Sequence, residues 1–220
     1  VLPTADLVVL TLAVAAFVAG PIVFLTCVAL VEKTFRGVPA PKGKAADLAV
    51  TNQVSNDVSI LLGNGNGTMQ PQTLLSAGSG PYAITAGKFN ADNNFDLAVT
   101  NSGSNTVAIY PGNGNGTFGA PSSFFVGASP LSIATADFNN DSKQDLIVAN
   151  FGSFFSGTVS VLLGTGTGAF TAGTSIRTRT QPSFFFSSSL GPHRNLDAIA
   201  ARRGSDLVAI YPGNGNGTFV

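Results

Sequence analysis

The 220-residue chain is poor in reactive and charged side chains. It has one cysteine, Cys27, and one histidine, His193. A single cysteine excludes an internal disulfide framework. One histidine and one cysteine, the latter inside an apolar run, leave no nucleophile–base pair with an orienting third group, so the chain is expected to be no enzyme. Charged residues make up only 10% of the chain, and the eleven basic and eleven acidic side chains cancel. A neutral chain this low in charge has no polybasic footprint for nucleic acid. Glycine is abundant instead, at 26 residues, and with many Asn, Ser and Thr residues it suits tight turns between short strands.

The span from Leu7 to Val31 carries no charged residue. It exceeds the roughly 20 residues that a helix needs to cross about 30 Å of hydrocarbon. Gly20-Pro21 interrupts it, and such breakers are tolerated in membrane helices. The competing reading is a cleaved signal peptide, whose apolar core is shorter, about 7–15 residues. On length, residues 1–36 are expected to hold a membrane-anchor helix at about 7–31 with its flank, and 37–46 a linker. Lys33, Arg36, Lys42 and Lys44 follow the apolar span, which by the positive-inside tendency favours a cytoplasmic flank, although long domains translocate largely regardless of charge.

Beyond residue 44 the chain repeats itself. The string GNGNG starts at Gly63, Gly112 and Gly213, with the variant GTGTG at Gly164. An aspartate opens an apolar run at Asp47, Asp96, Asp145 and Asp197, and a proline recurs at Pro81, Pro130 and Pro182. All three series have spacings of 49 or 52 residues, and they agree if three residues are inserted between Asn150 and Thr158. Units at 47–80, 81–129, 130–181 and 182–220 follow.

Each unit reads as four short strands. In the third these are LSIATADF, DLIVAN, TVSVLLG and the stretch around FTAGTSI. Apolar runs of this length, rich in Val, Ile and Leu and bounded by Gly and Asn, indicate strands. Near-continuous apolarity implies sheets covered on both faces. The expected fold is therefore all-β: a β-propeller-like array of about four four-stranded repeats, incomplete or open, after one transmembrane helix. Unit one is expected to lack its first strand and unit four its last. An open array exposes sheet edges, so self-association or capping by a partner is expected.

Between strands one and two of unit three, Asp137, Asn139, Asp141, Lys143 and Asp145 form the pattern D-x-N-x-D-x-x-x-D. Hard cations such as Ca²⁺ take six to eight oxygens, which a short loop supplies from alternate side chains and a carbonyl. Asp137, Asn139, Asp141 and Asp145 would give side-chain oxygens, and Lys143 its backbone carbonyl with the ammonium in solvent. A plain Asx-rich turn is the alternative. Unit two aligns Lys88, Asn90, Asp92, Asn94 and Asp96, a degenerate metal loop in which the Lys88 ammonium either sits near Asp92 and Asp96 or points to solvent. Unit four aligns Ser189, Gly191, His193, Asn195 and Asp197, and unit one keeps only Asp47. Because the last aspartate persists in every unit, it reads as a fold residue that satisfies backbone N–H groups first and as a ligand second.

The stretch ATADFNNDSKQDLIVAN…TVSVLLGTGTGAF resembles the FG-GAP or VCBS repeat of integrin alpha chains and many bacterial envelope proteins, over about residues 44–220. The resemblance implies a calcium-stabilised, non-catalytic propeller displayed outside the cell for adhesion or for binding a protein or glycan. It also implies that the repeats lie on the extracytoplasmic side of a single-pass membrane protein. The rival reading is a structural accessory subunit of a membrane complex, its helix packed on other transmembrane chains and its repeats a scaffold. One calcium ion is expected, in unit three.

GNGNGTF is expected to be a hairpin, because both Asn and Gly accept positive φ. The residue that ends it (Met69, Phe118, Phe170, Phe219) is expected to pack between units. Asn66, Asn115 and Asn216 stand in N-G-T sequons. Phe154 and Phe155, in the three-residue insertion, form a candidate partner contact. The second Phe cluster, Phe184 to Phe186, reads as an inner strand.

Overall fold

In a computed structural model, the residues described are 10–12, 25–31, 46–152, 157–178, 181–188, 190, 195–203 and 208–220. They form four antiparallel sheets in series, and every sheet has its strands in chain order. Sheet one holds β1 (Leu10–Leu12), β2 (Leu25–Val31), β3 (Asp47–Asn52), β4 (Asp57–Leu61) and β5 (Thr73–Ser76). Sheet two holds β6 (Pro81–Gly87), β7 (Asp96–Asn101), β8 (Thr106–Tyr110) and β9 (Ser122–Phe125). Sheet three holds β10 (Pro130–Ala136), β11 (Asp145–Asn150), β12 (Thr158–Gly164) and β13 (Phe170–Arg177). Sheet four holds β14 (Gln181–Ser188), β15 (Asp197–Arg203) and β16 (Val208–Tyr211).

The expected transmembrane helix over 7–31 is corrected at its described ends. Leu10–Leu12 and Leu25–Val31 are strands, and no helix among the described residues is long and apolar enough to cross a membrane. Unit one therefore has the first strand it was expected to lack. Val31 pairs with Asp47 as Gly87 pairs with Asp96, Ala136 with Asp145 and Ser188 with Asp197. A register shift near the strand start recurs in all four pairings: Leu25/Cys27, Pro81/Ile84, Pro130/Ser132 and Pro182/Phe184. The physical reason is that a strand covered on both faces is as uniformly apolar as a membrane helix. Only the pairing partner distinguishes them.

The sheets pack face to face along two clusters. Ala49, Val58 and Ile60 of sheet one share a core with Leu97, Val99 and Tyr110 of sheet two, which continues into Leu146, Val148 and Leu162 of sheet three. On the far side of sheet three, Ile147, Ala149, Val159 and Val161 meet Ala198 and Ala200 of sheet four. β6 lies against β2 and β10, and β10 lies against β14, so the first strands stand side by side. In units one and two an asparagine in the left-handed region ties the last residue of the unit, just before the next unit starts. Asn56 (φ 58°) accepts from Gly80 N–H at 2.7 Å through Oδ1, and Asn105 (φ 56°) accepts from Ser129 N–H at 2.8 Å.

Candidate functional site

The opposite end of each sheet carries the loop between its first and second strands and the turn after its third. One aspartate joins them. Asp145 is buried, and its Oδ2 accepts from Phe138 N–H at 2.9 Å while its Oδ1 accepts from Gly164 N–H at 2.8 Å. Asp96 does the same with Phe89 and Gly112, at 2.9 and 2.8 Å. Asp197 takes Leu190 and Gly213, at 2.8 and 2.9 Å. Asp47 accepts from Gly63 N–H at 2.9 Å. These contacts satisfy N–H groups at the loop and turn that would otherwise be orphaned in the interior. In all four units the last aspartate accepts from backbone N–H groups.

The glycine on the receiving side is equally constrained. A Cβ on Gly63, Gly112, Gly164 or Gly213 would overlap the carbonyl oxygen of Ala46, Phe95, Gln144 or Leu196, in each case the residue before the aspartate. In the turn itself only the glycines take positive φ, for example Gly114 at 72° and Gly116 at 87°. The asparagines were expected to share it, but they hold the turn with their side chains instead. Asn66, Asn115 and Asn216 each accept from the N–H and hydroxyl of the threonine two residues on. Gly63 bridges to Met69, Gly112 to Phe118 and Gly213 to Phe219.

In unit three the loop expected to bind a metal is mostly open to solvent. Asp137 accepts from Asp141 N–H at 3.1 Å and from Ser142 N–H at 2.8 Å. Asn139 Oδ1 also takes Asp141 N–H at 3.1 Å, and Asp141 Oδ1 takes Lys143 N–H at 2.9 Å. The Lys143 ammonium is exposed and meets Asp141 Oδ2 at 3.2 Å. Exposed pairs of this kind contribute about 0–1 kcal/mol. The donor chemistry suits a hard cation: three carboxylates and an amide oxygen within one turn, each oxygen with lone pairs to spare. Among the described residues, no three acidic, histidine or cysteine side chains converge as a ready metal cage.

In unit two Lys88 is exposed, the solvent-facing one of its two expected positions. Its ammonium lies 3.4 Å from Asn93 Oδ1 and 5.9 Å from the centre of the Phe95 ring. Asn90 Oδ1 accepts from Asp92 N–H, and Asp92 Oδ1 accepts from Asn94 N–H, so the Asx-turn architecture persists without the first carboxylate. In unit four Asn195 donates to Gly213 O at 3.1 Å, while Ser189, Gly191 and His193 lie outside the described residues. Phe154 and Phe155 also lie outside them.

Contacts between units add residues that sequence patterns did not single out. Gln144 Oε1 accepts from Lys88 N–H of the preceding unit at 2.7 Å. Asn140 donates to Gly215 O of the following unit at 2.9 Å, and Phe138 O accepts from Gly217 N–H at 3.0 Å. Gly168 N–H donates to Phe89 O at 2.8 Å in the same way, one unit earlier. The unit-three loop is thus clasped between its neighbours. Phe170 packs edge-on against Phe89 and Phe124 of sheet two, and Phe219 against Phe138, so these two residues pack between units as expected. Phe89 and Phe138 share one offset after the first strand, and that recurrence was the available signal.

Burial pushes the Asp96 carboxyl above its ordinary value of 3.8; hydrogen bonds from Gly112 and Phe89 pull it down, and the neighbouring Asp92 charge adds to the rise. Asp145 is raised by the same causes, with Asp141 and Asp137 as its charged neighbours. A raised folded value means that the stability linked to this proton is fully present below pH 3.8 and is lost as pH climbs through the folded value. Urea titrations across that range should show this loss in the parent chain and a flatter profile in Asp96→Asn. An unchanged profile would assign the pH dependence elsewhere.

Residues 44–99 and 88–148 match the FG-GAP-like repeat family. No curated protein matches the chain. The match over residues 44–148 supports an FG-GAP-like repeat in that part of the chain.

Proposed function

We propose that the chain is a non-catalytic, calcium-stabilised binding module of β-propeller type, acting in adhesion or in holding a protein or glycan partner at the cell envelope. The family suggests a propeller-like binding module. The adjacency of first strands β2, β6, β10 and β14 supports the propeller reading. Placement of the repeats outside the cell rests on the family likeness alone. The absence of catalysis rests on the poverty of nucleophile and base candidates, with one histidine and one cysteine in the chain.

The observation that carries the calcium part is the unit-three loop. Asp137, Asn139, Asp141 and Asp145 come from one nine-residue turn, and the Lys143 ammonium already partners one of its carboxylates. In the proposal Asp137, Asn139, Asp141 and Asp145 hold the ion with the Lys143 carbonyl. The ion neutralises carboxylates that otherwise repel and rigidifies a loop clasped by Gly215 and Gly217 of the next unit. Its role is structural.

Calorimetric titration of the full chain should give one calcium equivalent, lost in Asp137→Ala. At a hundredfold excess over Kd the ion should add about 2.7 kcal/mol to the stability. Two equivalent sites would overturn the assignment of a single site to unit three, since unit two has Lys88 where the first carboxylate would stand. No binding at millimolar calcium would overturn the calcium reading itself.

A second reading, a scaffold subunit within a membrane complex, is favoured by the exposed Val208 and Ile210 of sheet four. Stoichiometric co-purification with membrane subunits in mild detergent would support it, and a chain purified alone would support the binding module.

A further inference from the structure

The same two positions of the third strand face the following sheet in every unit. They are Val58 and Ile60 in β4, Val107 and Ile109 in β8, and Val159 and Val161 in β12, and all six are no more than 2% exposed. In β16 the matching residues are Val208 and Ile210, which are 65% and 54% exposed. Ile199 beside them on β15 is buried, so the open ground is the third-strand part of the face. An interface used three times within the chain is thus presented a fourth time with none of the described residues covering Val208 and Ile210.

The complementary face is open at the other end. Leu97 and Tyr110 of sheet two, and Leu146 and Leu162 of sheet three, face the preceding sheet and are buried to 2% exposure or less. Their counterparts in sheet one, Leu48 and Leu61, pair with each other across β3 and β4 and are only half-buried. Among the described residues, no sheet packs on the Val208–Ile210 face of sheet four or on the Leu48–Leu61 face of sheet one.

We propose that the chain associates head-to-tail with a second copy of itself: the Leu48–Leu61 face of one copy docks on the Val208–Ile210 face of the next. The contact continues the sheet-on-sheet interface already made between units one and two, two and three, and three and four. Valine and isoleucine stand on one side of each of those interfaces. The other side is Leu97 and Tyr110 in sheet two, Leu146 and Leu162 in sheet three, and Ala198 and Tyr211 in sheet four. The Leu48–Leu61 pair most resembles that of sheet three. Because the two patches differ, the interface is heterologous, and it generates a ring or an open filament of copies. The inference does not depend on calcium.

Sedimentation velocity of the full 220-residue chain in a mild non-ionic detergent tests it. The parent chain should form oligomers that grow with concentration. The double variant Val208→Asp, Ile210→Asp should associate on the order of a hundredfold more weakly; because both side chains are exposed, its circular dichroism should be unchanged. Leu48→Asp with Leu61→Asp should weaken association equally. An equimolar mixture of the two double variants should form a dimer that grows no further, since each retains one intact face. A parent chain that is monomeric at every concentration overturns the proposal. So does amide-exchange protection of β16 in such a monomer, which would mean closure on its own first sheet. Association unaffected by the Val208 and Ile210 changes also overturns it.

Discussion

Asp145→Ala should lower the stability of unit three by about 2–6 kcal/mol even in the presence of a calcium chelator. The carboxylate accepts two N–H groups, from Phe138 and Gly164, and all of this is buried. Truncation leaves both donors unsatisfied, at roughly 1–3 kcal/mol each. Asp96→Ala should cause a similar loss in a unit whose loop lacks the first carboxylate, which separates the fold role from any metal role. Asp137→Ala, whose bonds go to exposed loop N–H groups, should cost about 1 kcal/mol or less under the same conditions. Urea denaturation gives the overall change, and amide exchange at Phe138 and Gly164 localises it. If Asp145→Ala matters only when calcium is present, the residue is a ligand first and this account fails. Asn should rescue poorly, since its amide offers one acceptor where two are needed.

Gly112→Ala is expected to be the second severe change, at about 2–4 kcal/mol. Glycine is usually explained by positive φ, but that argument does not apply at Gly112, which is not among the positive-φ residues. The constraint is space: an added methyl would overlap the Phe95 carbonyl, which is backbone and cannot rotate away. Overpacking in a well-filled interior costs roughly 1–3 kcal/mol. Here the forced shift also lengthens the Gly112 N–H bond to Asp96, which adds a lost buried bond of about 1 kcal/mol. Gly119→Ala serves as the control, because its methyl would meet only the Pro111 ring and carbonyl at 3.3 Å or beyond. Equal thermal shifts for the two variants would remove the steric explanation.

Much of the fold was legible because it is written in local periodicity. The three concordant series of turns, aspartates and prolines set four units, and each described sheet follows the strand–turn order read from them. The persistence of Asp47, Asp96, Asp145 and Asp197 in loops that had lost other ligands pointed to a backbone role. What escaped notice has two causes. LTCVALV carries no alternation, so its length within a longer apolar span favoured a helix. Its pairing with DLAVTN lies in register with the other units, across a connection twice as long as theirs. Charge alone left two positions open for Lys88, and the neighbours of the two exposed ammonium groups, Asn93 and Phe95 for Lys88 and Asp141 for Lys143, were not legible.

The sequence by itself determined the repeat, the all-β meander, the turn chemistry and the acidic loop of unit three. These depend on residue types at short spacing, where propensity and hydrogen-bonding capacity act within a few residues. The tertiary structure alone decided which N–H groups each buried aspartate accepts, why the first glycine of the turn tolerates no side chain, and which face of sheet four remains open. Those outcomes depend on backbone atoms brought together from 7 to 19 residues apart, or from another unit, and no local pattern encodes which groups will meet.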